Sequence, residues 1–162
     1  DQGRVELRDG NLALSQQWLE QSLGKMVGSN NAFESVWIHT LLAEVTLRRN
    51  HIQAAKYHLG SAFAPGWTAH SASYALNTCV ALAAQEHQYD HASVLLGAAD
   101  AIRIAYRTPL PPADYDPYRQ LMFLLQSMLS QEQHTQAYFR GQMLPVEEAI
   151  VQAKSLWICN DM

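Results

Sequence analysis

Cysteine is scarce: Cys79 and Cys159 are the two in 162 residues. They stand far apart in helical contexts, so they build neither a disulfide framework nor a metal knuckle, which suits a reducing cytoplasm. Charge is sparse as well, at 16% of residues, and the formal net charge is −4. A duplex-binding surface carries a basic excess, so no direct nucleic-acid contact is expected from this chain. No apolar run approaches the ~20 residues that span a bilayer, and no signal peptide opens the chain. The expectation is therefore a cytoplasmic protein without membrane contact. A phosphate-cradling loop needs a glycine five residues before Gly-Lys-Ser/Thr. Here Gly24-Lys25 runs into Met26, and Leu19 stands at the earlier glycine position. No stretch alternates apolar and polar residues as a half-buried strand would.

What is present is helical periodicity. At 162 residues and 48% hydrophobic content the chain can bury the core of a single domain. The stretch from His87 to Tyr106 organises the rest. Ala92, Leu95, Leu96, Ala99, Ile102 and Tyr106 recur at the spacing of one helical stripe. Ala92 and Ala99 are small at its centre, which lets another backbone approach.

The same order appears twice upstream. GNLALSQQWLEQSL from Gly10, NHIQAAKYHLGSAF from Asn50 and HQYDHASVLLGAAD from His87 align without gaps. Large residues stand at Leu12, Ile52 and Tyr89, and again at Leu19, Leu59 and Leu96. Small ones stand at Ser15, Ala55 and Ala92, and again at Ser22, Ala62 and Ala99. The periods are 40 and 37 residues, which suit a pair of helices and a turn. Each stretch is the trailing helix of such a pair. Asn31 with Glu34, and Thr68, can cap the leading helices of the second and third pairs. Gly24 and Gly28 mark the connection to Asn31, and Pro65-Gly66 follows the second pair. The chain opens at Asp1 in mid-repeat, which predicts a piece of a longer protein.

After Arg107 the spacing stops. Residues 108–116 form a proline-rich linker that must be extended. Asp116-Pro117 reads as a helix cap followed by proline at the first helical position. Ser130 with Gln133 reads as a capping box for a short helix ended by Gly141. Pro145 begins the last helix, and residues from Trp157 onward read as a tail. The expected architecture is an all-α helical-hairpin solenoid of about eight helices. Residues 1–107 form the repeats and 117–156 cap the last one, all within one domain, 1–162.

The small/large spacing resembles the tetratricopeptide repeat (TPR), with a period longer than the usual ~34 residues. A second likeness is more specific. ASVLLGAADAIRIAYRTPLPPADYDPY followed by AYFRGQMLPVEEAIVQA resembles the C-terminal end of large bacterial LuxR-type regulators that carry a signal-transduction ATPase module and a TPR-like sensor tail. The matching residues are Leu95 to Ala99, Pro109 to Pro112, Tyr118, Ala137, Gly141 and Glu147 to Ala149. The resemblance implies a TPR-like regulatory domain whose ATP-binding and DNA-binding modules lie outside this chain.

Chemistry-bearing constellations are few. His87 and His91 share a spacing that can bind zinc, as do His51 and His58 on one face, but no third ligand is in reach. The bland readings are a turn for His87 and a solvated face for His91. Cys79 has apolar neighbours and reads as a small buried hydrophobe. No metal, cofactor or enzymatic activity is expected, and a hydrolase would need a polar pocket holding a perturbed titratable group. Trp18, Trp67 and Tyr57 read as packing residues. In a repeat stack the leading helices line the concave face. That places Trp37, Thr40, Glu44, Arg48, Tyr74, Asn77 and Gln85 on one surface, with Arg4 and Arg8 beside them. Such a surface suits a protein or peptide partner or a small polar effector. The function expected is ligand sensing or protein interaction within a transcriptional regulator, with a possible homo-oligomer. The alternative is a free-standing TPR-like adaptor for protein segments.

Overall fold

Gly10, Asn50 and His87, the matched turn positions, share one backbone conformation. Their φ angles are 81°, 61° and 61° in the computed structural model, which describes residues 2–158. Each turn also makes the same hydrogen bonds. The next amide reaches back five residues, Asn11 to Glu6, His51 to Thr46 and Gln88 to Ala83, at 2.9, 2.8 and 2.8 Å. This left-handed closure satisfies the last carbonyls of the leading helix and sends the chain back along it. A histidine holds it at a steric cost that glycine escapes. We expect His87→Gly to stabilise the chain by about 0.5–1 kcal/mol despite glycine's greater unfolded-state freedom. Chemical denaturation checks this, and an unchanged or lower midpoint contradicts it.

The helices are α1 Gln2–Arg8, α2 Leu12–Lys25, α3 Ala32–Arg48, α4 Ile52–Ala62, α5 Ala69–Gln85, α6 Tyr89–Tyr106, α7 Tyr115–Met128, α8 Gln131–Gln142 and α9 Val146–Lys154. These nine, with a single 3-10 turn at Pro112–Asp114, make an all-α protein with no strand among the described residues. None of these helices is long and apolar enough to cross a membrane. Within the first six, α1 packs on α2, α3 on α4, and α5 on α6; α3 then bridges to α2 and α5, and α4 touches α5. Asn31 caps α3 through the Glu34 amide, and capping boxes open α5 (Thr68 with Ser71) and α8 (Ser130 with Gln133).

Helix α6 is the hub. Residues Ala92 to Asp100 are buried without interruption, so it is covered on every side there. The four alanines at repeated positions, Ala55, Ala62, Ala92 and Ala99, are all fully buried. The apolar stripe ends at Ile102, and Tyr106 is 58% exposed. The closest crossing is made by glycines. A Cβ on Gly97 would lie 2.0 Å from the Tyr138 carbonyl oxygen, and one on Gly141 would lie 1.8 Å from that of Val94. Helices α6 and α8 thus touch backbone to backbone. Below this crossing, buried Asp100 accepts the hydroxyls of Tyr118 (2.6 Å) and Tyr138 (2.7 Å) and pairs with Arg103. One carboxylate therefore joins α6, α7 and α8. Burial first, and then the bonds to this carboxylate, push both tyrosine hydroxyls well above their ordinary pKa.

Several local expectations change. Helix α7 begins at Tyr115, led by the 3-10 turn, so Asp116 lies in its first turn and does not cap it. Gly24 is helical, and Gly28 alone takes the left-handed bend. Trp18 and Tyr57 are exposed, not packed in the core. His91 is half-buried against α9, with its Nε2 3.4 Å from the Ser155 hydroxyl. Trp157 is no loose tail: it stacks on Phe63 with ring centroids 6.1 Å apart and planes 5° from parallel. Cys79 is fully buried, and burial pushes its thiol pKa far up. Cys159 lies outside the described residues.

Candidate functional site

Helix α3 has little free surface. Val36 and the run from Ile38 to Ala43 are buried, as are Val45 to Leu47. Glu44 and Arg48, one turn apart, escape this packing and meet at 2.9 Å. Across from them, α5 presents Tyr74, Asn77, Thr78 and Ala81. Between the two helices lies a cavity of about 360 Å³. Its other side comes from the proline linker and α7: Leu110, Asp114, Pro117, Tyr118, Leu121 and Leu124.

An ionic and aromatic cluster ties that far side to the repeats. Arg8 pairs with both oxygens of Asp114, one at 3.1 Å, and also reaches the Tyr74 hydroxyl. The Tyr74 hydroxyl donates to Asp114 at 2.5 Å. Arg8 stands 3.9 Å from Glu44, and its guanidinium lies 5.8 Å from the Tyr74 ring centroid. Burial raises the Glu44 carboxyl pKa, with Arg48 and Arg8 pulling it back. The Tyr74 hydroxyl is pushed far up, first by burial and then by its bond to Asp114. Beside it, Trp37 stacks on His70 with centroids 5.3 Å apart and meets Tyr74 edge-on at the same distance. The Arg4 guanidinium lies 5.9 Å from the Trp37 ring.

Of the seven residues expected on the concave face, Glu44, Arg48, Tyr74 and Asn77 line this one cavity. Trp37 adjoins it through Tyr74. Thr40 does not reach a surface: it is fully buried, and its hydroxyl donates to the Val36 carbonyl at 2.9 Å. Gln85 is exposed but lies off the cavity wall, donating to Asn50 at 2.7 Å. Asp114 and the α7 wall were not legible as site residues. No family model, curated protein or solved structure matches the chain. Among the described residues no cluster of three or more His, Cys, Asp or Glu side chains can hold a metal ion.

A second titratable pair lies between α3 and α4. The Nδ1 atoms of His39 and His58 are 3.0 Å apart, close enough to share one proton in a hydrogen bond. Burial lowers both pKa values, that of His58 to about 4, with His39 adding to the shift. The unfolded chain takes up these protons near pH 6.5, where the folded chain resists them. The unfolded state then binds more protons, so stability falls as pH drops from about 6.5 towards 4. We expect each histidine to contribute at most about 1.4 kcal/mol per pH unit to that loss. Urea midpoints at pH 7 and pH 5 check it, with His58→Gln flattening the dependence. Equal slopes in the parent and the variant contradict the assignment.

Proposed function

We propose that the chain is a non-enzymatic, TPR-like regulatory module that senses a small effector in the cavity between α3, α5 and α7. The observation that carries this reading is the convergence of Glu44, Arg48, Tyr74 and Asn77 on one cavity whose outer wall is a separate segment. That wall is held to the repeats by polar contacts at Asp114 and Tyr118. An effector that binds one placement of α7 better than another shifts the population towards it, and an attached module can read the change. The likeness of residues 92–153 to the sensor tails of LuxR-type regulators supports the regulatory context. On that reading the protein works in the cytoplasm, and DNA and ATP are handled by other modules.

The second reading is an adaptor that captures protein segments. In its favour, Phe123, Met128, Phe139 and Met143 are 72%, 51%, 60% and 70% exposed on α7, α8 and the residue that follows it. Filling the cavity separates the two. In a thermal-shift screen of small metabolites, compounds that stabilise the intact chain should not stabilise Ala81→Phe, which occupies the cavity. If they stabilise both equally, the cavity is not the effector site. If Ala81→Phe keeps a protein partner that Phe123→Ser with Met128→Ser loses, the adaptor reading stands instead.

A further inference from the structure

The chemistry of the cavity wall narrows what can enter, and this step rests on the effector-site reading above. The charged groups satisfy one another. Arg8 with Asp114 and Arg48 with Glu44 make two pairs whose formal charges cancel. The tyrosine hydroxyls are also committed, Tyr74 to Asp114 and Tyr118 to Asp100. An anionic ligand at Arg48 would meet a guanidinium whose charge Glu44 already offsets at 2.9 Å, and would lie beside that carboxylate. A cation would gain no spare carboxylate. Taking a charge out of water without a partner is costly, so charged ligands lose on both counts.

One group on this wall is left wanting. The side-chain oxygen of Asn77 is buried and has no hydrogen-bond partner, a state shared among the described side chains only by the Thr108 hydroxyl, which is not part of the wall. Buried acceptors are normally satisfied, and the residue that carries this one stands on the wall of a cavity large enough for a two-ring molecule. Thr78 can both donate and accept, so it imposes no preference. The rest of the surface beside Asn77 is mainly apolar, Leu110, Pro117, Leu121 and Leu124, with the exposed amide of Gln120 at its edge. We infer that the cavity takes an uncharged, mainly apolar small molecule bearing a hydrogen-bond donor. The donor goes to Asn77 Oδ1 once the side chain turns to face the cavity, and the apolar body lies against the linker and α7. Residue types alone suggest a small polar effector; we read it as uncharged because the charged residues of the wall are already paired.

Three probes with one ring system test this: 2-naphthol, 2-methoxynaphthalene and 2-naphthoate. They present a donor, an acceptor without a donor, and an anion. Titration of the intact chain is followed through the methyl resonances of Leu110, Leu121 and Leu124. We expect 2-naphthol to bind about threefold to tenfold more tightly than the ether, the worth of one hydrogen bond, and the naphthoate to bind most weakly. Asn77→Ala should bring the alcohol and the ether to equal affinity. If alcohol and ether bind equally to the parent chain, the donor assignment is overturned. If naphthoate binds best at the same methyls, the ligand class is wrong while the cavity remains an effector site. If no probe shifts those methyls, both readings fall.

Discussion

Gly141→Ala should unfold the C-terminal third at a temperature well below that of the parent. The new Cβ would stand 1.8 Å from the Val94 carbonyl oxygen and 3.0 Å from the Ala98 amide nitrogen. Both obstacles are backbone, so no side chain can turn aside to make room. Helix α8 must move outward, opening a gap along a crossing where both chains are packed at interior density. Overpacking costs about 1–3 kcal/mol where side chains can yield, and more where they cannot. We expect a loss of at least about 3 kcal/mol, which at this size lowers the melting midpoint by about 6–12 °C. The control is Gly24→Ala, also within a helix, where an added Cβ meets nothing within 4 Å. That change should stabilise by about 0.5–1 kcal/mol through helix propensity. Opposite signs from one substitution type would establish the crossing. A Gly141→Ala midpoint equal to the parent's would remove it.

Asp100→Ala should be the other severe change. Asp100 is 8% exposed and holds Arg103, Tyr118 and Tyr138 at once. Its removal leaves a guanidinium and two hydroxyls under cover without their acceptor. Breaking a buried pair from one side typically costs about 3–5 kcal/mol, and we expect that range here. Asp100→Asn keeps one acceptor oxygen and should lose less. Tyr118→Phe and Tyr138→Phe should each cost about 1 kcal/mol. Their double variant should depart from additivity, because both hydroxyls share one carboxylate. Urea denaturation of the set measures all of this. A loss under about 1 kcal/mol for Asp100→Ala would show that the carboxylate is not the joint between α6, α7 and α8.

These two sites also mark where sequence reading reached its limit. The all-α class was legible because apolar stripes, caps and turns are local signals. Gly10, Asn50 and His87 align in sequence and share a left-handed backbone in space. Thr68 and Ser130 cap the helices that they precede. The α6–α8 crossing is different. Gly97 in α6 and Gly141 in α8 meet across the linker and α7, and nothing local tells a glycine at a helix crossing from one at a helix end. The concave face was half legible for a similar reason. Face arithmetic assumes one buried side, but α3 is covered nearly all round, so Thr40 went inside with its neighbours. Arg48 kept part of its surface because charge is expensive to bury, and the largely covered Glu44 is held by its arginine partners. The far wall of the cavity depends on where the linker lands, and prolines restrict the backbone without fixing its direction: the segment expected to be extended over 108–116 instead coils from Pro112 onward, through the 3-10 turn into α7.

The contact between Arg8 and Asp114 spans 106 residues of sequence, and that between Tyr74 and Asp114 spans 40. The three helical hairpins close through neighbours in sequence and can form as soon as they leave the ribosome. The cavity cannot. At about 5–20 residues per second, Asp114 is synthesised about 2–8 s after Tyr74. During that interval Arg8 lacks its Asp114 partner, and the cavity lacks its outer wall. A newly made chain therefore passes through a stage in which its hairpins stand without the cavity's outer wall, which is added only when synthesis reaches the linker and α7.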